Sequence, residues 1–379
     1  WTPRQIELIA RFGARGRELI APRARELSQK NEFDQLAWEQ LVDTELWRMI
    51  VPEVYGGLGI IWWDFSAALE GLAENIADGG FLLTLISQAG FIHGLTEFGS
   101  HEQQQAYFPR LLQGALTATC IAERQSGSDM ANLQTAATME GNSGVLNGAK
   151  WNIAHGPTAE LYLVVGRIPA LGKRDITLFI LDRNKMPGIE AAPRDDKMGN
   201  RTIPTSGLTF NSVPVREGDI LGAPGDGIRA LVKMVTLDRI YYGWMGAALI
   251  RPLLDQATDF IQDRQSGGRP LARHQYVQEK LVESIIGLEQ SRFTGIGTLG
   301  QMLEGDPMAL LNGSVAKLTG ARNFLQSTRD LLSLFGSDGY QSGLAAHLVR
   351  DALGFITVGG TEEMHRINVF NQWMRLRKR

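Results

Sequence analysis

The sequence predicts a mainly α protein with one β domain set between two helical regions. Three observations carry that expectation. Residues 3–114 place apolar side chains at helical spacing, the texture changes near residue 115 to short β-rich runs, and long amphipathic stretches return from residue 226. A chain of 379 residues, 44% hydrophobic and 21% charged, suits two or three packed units sharing interfaces. The divisions fall at 1–115, 116–223 and 224–379.

The first unit opens with helical spacing over 3–29 and continues over 62–98, where Phe65, Leu69, Leu72 and Ile76 share one stripe. "VPEVYGGLGI" (51–60) is a Pro-opened, Gly-broken loop, and "GSHEQQQAYFPRLLQG" (99–114) is a short helix between glycine stops. The second unit holds "ALTATCIAER", "SGVLNGAKWNIA", "AELYLVVGRI", "DITLFILDRN" and "TSGLTFNSVPVREGDIL". Strands so closely spaced predict a barrel or sandwich of about 100 residues. In the third unit, Val277, Leu281, Ile285, Leu288 and Ile296 mark one stripe, and Met308, Leu311, Val315, Leu318, Leu325 and Leu332 another. Long helices with short connections predict an antiparallel bundle. Pro252 is expected to kink its first helix, since it lacks a donor and crowds the carbonyl four residues back.

Composition narrows the function classes. With 38 basic and 41 acidic side chains the formal charge is −3, which leaves no electrostatic footprint for nucleic acid. No apolar run reaches the roughly 18 residues of a membrane span, so no membrane insertion is expected. The single cysteine, Cys120, excludes an intramolecular disulfide and suits a reducing, cytoplasmic location. The six histidines show no metal-ligand spacing, and no metal site is expected. No G-x-S-x-G elbow or P-loop is present. "GIGTLG" (295–300) satisfies a dinucleotide fingerprint, but "LVESIIGLEQSRF" runs into it as continuing helix. That fingerprint needs a preceding strand and a new helix start, so close helix packing is the better reason for these glycines.

A series of motifs remains: "IAERQSGSDMANLQTAA" (121–137), "NGAKWNIAHG" (147–156), "DRQSGGRPLARHQ" (263–275), "LFGSDGY" (334–340) and "VRDALGFITVGGTEE" (349–363). In this order they resemble the acyl-CoA dehydrogenase family of flavoproteins, and the resemblance covers essentially the whole chain. It implies the acyl-CoA dehydrogenase fold: an N-terminal α domain, a central β-barrel and a C-terminal four-helix bundle, with FAD between barrel and bundle. By the same resemblance, Thr119, Ile121, Ala122 and Ser128 line the flavin, Ser128 facing a flavin phosphate or the substrate. Asn152, Ile153 and Ala154 cover its other edge. Arg264, Ser266, His274 and Gln275 match the pattern that binds the adenosine and pyrophosphate half, commonly from a neighbouring subunit. Ser333, Gly336, Ser337, Thr361 and Glu363 match further FAD contacts. A guanidinium and backbone amides suit a pyrophosphate because both satisfy its charged oxygens.

The chain departs from the pattern where the chemistry is done. The resemblance implies α,β-dehydrogenation of an acyl thioester, with a carboxylate removing the α-proton while a hydride leaves for the flavin. Most members carry that glutamate immediately before the Gly-Thr of the last motif, and here the position is Gly359. A known variation puts the acid before an arginine in the first bundle helix. This chain reads "TLDRIYYG", which makes Asp238 the candidate base, with Arg239, Gly359 and Gly360 beside the substrate. An Asp238–Arg239 ion pair is the plain alternative. Tyr241, Tyr242 and Trp244 suggest a bulky wall nearby. Ala122 and Ala154 replace threonines usual at the ring, Asn152 a tryptophan, Gly267 an aromatic and Ser333 a glutamine. Lost hydroxyls near the ring remove hydrogen bonds that tune a flavin.

The expectation is an FAD-dependent acyl-CoA dehydrogenase-like oxidoreductase. Its substrate rides on CoA or an acyl-carrier protein, its electrons pass to an acceptor protein or O2, and it assembles as a homotetramer or homodimer. Two alternatives are a flavin-dependent monooxygenase of this fold, which needs no glutamate, and a degenerate homologue without turnover.

Overall fold

The computed structural model describes residues 1–127 and 129–378, leaving aside the side chain of Ala131. The N-terminal region is helical: α1 (Pro3–Arg15), α2 (Ala21–Lys30), α3 (Gln35–Val42), α4 (Trp62–Ile76), α5 (Gly79–Phe98) and α6 (His101–Leu112). A wider turn over Gly16–Ile20 separates α1 from α2, so the stretch 3–29 is not one uniform helix. The stretch 62–98 likewise divides. Ala77 takes a left-handed conformation (φ 48°), and the Asp78 carboxylate then caps α5 by accepting from the Phe81 amide at 3.0 Å. Nearly every residue of α5 is buried, as expected of a helix apolar on all faces.

Seven strands follow: β1 (Thr117–Cys120), β2 (Ala136–Glu140), β3 (Ser143–Ala154), β4 (Leu161–Arg167), β5 (Ile176–Asp182), β6 (Ile189–Ala191) and β7 (Thr205–Arg216). They form one curled sheet in the order β1-β4-β2-β3-β7-β6, with β5 added to β4. The short strands β2 and β6 were not announced by the hydrophobic pattern. Residues 121–124, expected as strand, continue beyond β1 as irregular backbone.

The alternation of side chains explains how the sheet joins the helices. On β4, Tyr162 and Val164 enter the β-domain core while Leu161, Leu163 and Val165 enter the helical core. Phe179 and Leu181 of β5 point inward, and Leu178 and Ile180 outward in the same way. Buried on both faces, these strands read as continuous apolar runs.

The last region contains α7 (Gly227–Ala248), α8 (Arg251–Asp263), the hairpin β8 (Gln265–Ser266) and β9 (Arg269–Pro270), α9 (Gln275–Leu303), α10 (Ala309–Leu334), α11 (Leu344–Phe355) and α12 (Glu362–Leu376). Central α10 packs against α7, α9, α11 and α12. Pro252 does not kink a helix. The chain tightens at Leu249 and Ile250, and Pro252 sits in the first turn of α8, where its missing donor costs nothing. The "GIGTLG" glycines lie within α9. Close packing explains Gly295, where a Cβ would come 2.5 Å from Trp244 Cβ, but not Gly297, which has nothing within 4 Å. Ile285, expected on the inner stripe of α9, faces outward at 43% exposure.

One polar junction ties the three regions. Asp351 of α11 accepts from the Gly79 amide (2.9 Å) and the Asn200 amide (2.6 Å), and Asn200 Nδ2 returns a bond to the Asp351 carbonyl at 3.0 Å. The aspartate of the "VRDALG" motif therefore joins the start of α5, the loop before β7 and α11.

Candidate active site

The expected site residues fall into three groups. The first surrounds the seam between β1 and β3. The Trp151 amide donates to the Ala122 carbonyl at 2.9 Å, bringing Thr119, Ile121 and Ala122 beside Asn152, Ile153 and Ala154. Beneath the seam the fully buried Lys150 ammonium donates to Glu123 Oε1 at 2.8 Å and to the Ile121 carbonyl at 3.0 Å. Glu123 also accepts from the amides of Gln134 (2.6 Å) and Thr135 (3.1 Å). Burial works to raise the Glu123 pKa, but Lys150 and these donors outweigh it and hold the carboxyl below its ordinary range. The motif residues "E" and "K" thus fix the two strands together. Asn152 is exposed with a left-handed backbone (φ 57°), whereas the Ile153 side chain is buried in the β-domain core. Ser128 lies outside the described residues. Nearby, the hydroxyl of Ser126 is shut off from solvent without a hydrogen-bond partner among the described residues.

The second group lies at one end of the bundle. Arg264, Ser266, His274 and Gln275 belong to the hairpin between α8 and α9, where His274 Nε2 pairs with the Ser266 carbonyl at 3.1 Å. Ser333 accepts from Lys280 Nζ at 2.5 Å and donates to the Asp330 carbonyl at 2.6 Å. Gly336 (φ 59°) and Ser337 turn the chain after α10, and Phe335 packs on Phe260 of α8 at 4.9 Å between ring centroids. Among the described residues, no hydrogen bond or ion pair joins this group to the seam of β1 and β3.

The third group centres on α7. Asp238 lies where α5 and α7 cross so closely that a Cβ on Gly90 would come 2.1 Å from Asp238 Oδ1. That oxygen is buried and has no hydrogen-bond partner among the described residues, and neither has Arg239 Nε. No Asp238–Arg239 ion pair forms, so the plain alternative reading of these two residues is not supported by the geometry. Burial pushes the Asp238 carboxyl up to about 8, against the opposing pull of the Arg239 charge. Gly359 and Gly360 follow α11 with φ values of 68° and 114°, conformations that favour glycine. Thr361 caps α12, its hydroxyl accepting from the Met364 amide at 3.5 Å.

The other nearby acids are committed elsewhere. Glu362 pairs with Arg322 (2.8 Å) and Arg366 (3.0 Å), and Glu363 is 76% exposed. Of the three aromatic residues after Asp238, only Tyr242 turns toward the loop. Tyr241 bonds Ser66 at 2.7 Å, and Trp244 donates to Glu70 at 2.9 Å, both within the N-terminal core.

Sequence reasoning missed two residues that hold the loop. Lys317 Nζ donates to the carbonyls of Ile356 (2.7 Å) and Gly360 (3.0 Å), and burial lowers its pKa to about 8. His365 pairs through Nδ1 with Ser314 Oγ at 3.0 Å; burial, then Arg239 and Lys317, push its pKa down to about 3. A lone lysine in the apolar stretch "GSVAKLTGA" was the available signal for the first.

Family models match almost the entire chain: acyl-CoA dehydrogenase N-terminal domain at residues 2–115, middle domain at 118–213 and C-terminal domain at 225–374. The chain belongs to the acyl-CoA dehydrogenase family, and the fold is that family's fold. It is 28% identical to a mitochondrial isovaleryl-CoA dehydrogenase of Solanum tuberosum, over 95% of this chain and 87% of that protein. It is 29% identical to cyclohex-1-ene-1-carbonyl-CoA dehydrogenase of Geobacter metallireducens, over 92% of each. Among solved structures it resembles the prolyl acyl carrier protein oxidase AnaB (TM-score 0.93, 26% identity, 98% of this chain and 99% of that one). It is also similar to butyryl-CoA dehydrogenase from Megasphaera elsdenii (TM-score 0.91, 26% identity, 99% of each). No helix among the described residues is long and apolar enough to cross a membrane.

Proposed function

We propose that this protein is an FAD-dependent dehydrogenase of an acyl thioester in which Asp238 is the base. The observation that carries the reading is a carboxylate at a helix crossing, with one oxygen buried and unpartnered among the described residues, one turn along α7 from Tyr242, which packs on a loop that offers no acid of its own. A structural aspartate is normally satisfied, as Asp351 is. Raising a carboxyl toward neutrality strengthens it as a base, which abstraction of a weakly acidic α-proton requires.

The residues present fit FAD. Among the described residues neither the buried Ser126 hydroxyl nor the exposed Arg264 guanidinium has a partner, which leaves both free to meet the cofactor. The seam holding Thr119, Ile121, Ala122, Asn152 and Ala154 would flank the ring, and Arg264, Ser266, His274 and Gln275 would meet the phosphates. When bound, FAD supplies the acceptor for the hydride leaving the β-carbon. Asp238 takes the α-proton, Arg239 opposes excess charge at the carboxyl, and Lys317 keeps Gly359 and Gly360 in place against the substrate.

Because the bundle-end group stands apart from the β1–β3 seam, a complete site calls for a second copy, as a homodimer or homotetramer. Exposed apolar residues support this: Tyr276, Val282 and Phe293 on α9, and Ile367, Phe370 and Trp373 on α12. Both kinds of carrier occur among the relatives, so CoA and carrier-protein thioesters are the substrates to test. An electron-transferring flavoprotein or O2 would take up the electrons.

The test is anaerobic. Protein reconstituted with FAD is mixed with a panel of acyl-CoA and acyl-carrier thioesters while flavin absorbance is followed, and bleaching by at least one is expected. Gly359 and the missing ring hydroxyls at Ala122 and Ala154 favour a second reading, a monooxygenase. No bleaching, with oxygen consumption that needs supplied reduced flavin, would replace the first reading by that one.

A further inference from the structure

Position 359 and Tyr242 compete for one volume. A Cβ built on Gly359 would lie 2.6 Å from Tyr242 Cδ2 and 2.7 Å from Cε2, distances that real Cβ atoms do not occupy. The ring cannot readily step aside. Tyr242 is 7% exposed, and its hydroxyl is directed toward Ser87 of α5. The loop opposite is held as firmly, through Lys317 and the Gly360 carbonyl. Gly359 itself is exposed, so the ring is the layer between the loop surface and the interior of α7.

Tyr242 also stands one helical turn beyond Asp238 on α7, which puts the two side chains on the same face. The Asp238 charge adds to burial in pushing the Tyr242 phenol up. A side chain at 359 that displaced the ring would therefore emerge beside Asp238.

Building on the base assignment above, we propose that Tyr242 is a positioning residue that fixes the base on α7. Its ring fills the volume a side chain at 359 would need, so no carboxylate can serve from that loop. Asp238, one turn back along α7 and half-buried, stays open to the substrate. Gly359 and Tyr242 form a coupled pair: a side chain enters at 359 only where the ring is gone.

Two measurements on the full-length protein test this. The first needs neither cofactor nor substrate. Gly359→Ala is expected to lower the melting temperature in the native background by at least about 2 °C more than in a Tyr242→Ala background. The left-handed backbone penalty is common to both and cancels. Equal losses would overturn the pairing. The second uses the anaerobic bleaching assay with a thioester that bleaches the native protein. Asp238→Asn and D238N/G359E should be equally slow, whereas D238N/Y242A/G359E should recover at least about 10-fold. Recovery in D238N/G359E with Tyr242 intact, or none in the triple variant, would overturn the proposal. If Asp238→Asn bleaches at the native rate, the base assignment fails instead, and the melting comparison alone decides whether Tyr242 and position 359 exclude each other.

Discussion

Glu123 is buried and Asp238 half-buried with its Oδ1 shut off from water, and each has a cation beside it. Their states are opposite. Glu123 accepts from Lys150 and two backbone amides, so its charge is matched on every side and its pKa lies low. Asp238 has an oxygen with no donor among the described residues, and burial, opposed by the Arg239 charge, raises its pKa to about 8. The difference is one of hydrogen bonding more than of depth. A buried carboxylate surrounded by donors fastens two strands; one denied donors is left ready to take a proton.

The sharpest way to break this comparison is to neutralise each acid. Asp238→Asn should lower the rate of thioester-dependent bleaching by about 10²–10⁴-fold while the protein still folds and binds FAD, checked by stopped-flow absorbance and flavin content. Glu123→Gln should do the reverse. It leaves Lys150 charged and unmatched in the interior, for a loss of about 3–5 kcal/mol in urea unfolding. E123Q/K150M should recover much of that loss.

Stability against pH sharpens the contrast further. The depressed Glu123 contributes stability that is present above its unfolded pKa and lost as pH falls through its folded value. The raised Asp238 has the opposite sign: its contribution is fully present only below the unfolded carboxyl pKa, about 4, and is lost progressively until pH passes about 8. Asp238→Asn should therefore match the native melting temperature at about pH 4, gain on it as pH rises, and exceed it most from about pH 8 upward. The smallest expected effect lies at the edge of the site. Thr361→Ala removes the cap of α12 and should cost about 1 kcal/mol in the same unfolding measurement.

Much of this was legible in the sequence. The change of period near residue 115 marked the β region, and the ordered motifs pointed to the family. The glycine at 359, and Asp238 before an arginine in the first bundle helix, could be read directly. The state of Asp238 could not, because α5, distant in sequence, supplies its burial through Gly90. The three aromatic residues after it looked alike as a string, yet helical phase separates them. Tyr242 is four residues from Asp238 and shares its face, whereas Tyr241 and Trp244 turn to Ser66 and Glu70. Ile153 sits in a motif but faces inward, since strand alternation and a register shift decide its direction. Pro252 was misjudged because a proline two residues into a new helix and one inside a long helix look the same in sequence.

The pH dependence of anaerobic bleaching tests the central claim most directly. With Asp238 as base, the native rate should climb with pH along a single limb centred near 8, and Asp238→Asn should show a slow, flat profile. A limb near the ordinary carboxylate range, or one that survives unchanged in Asp238→Asn, would contradict it.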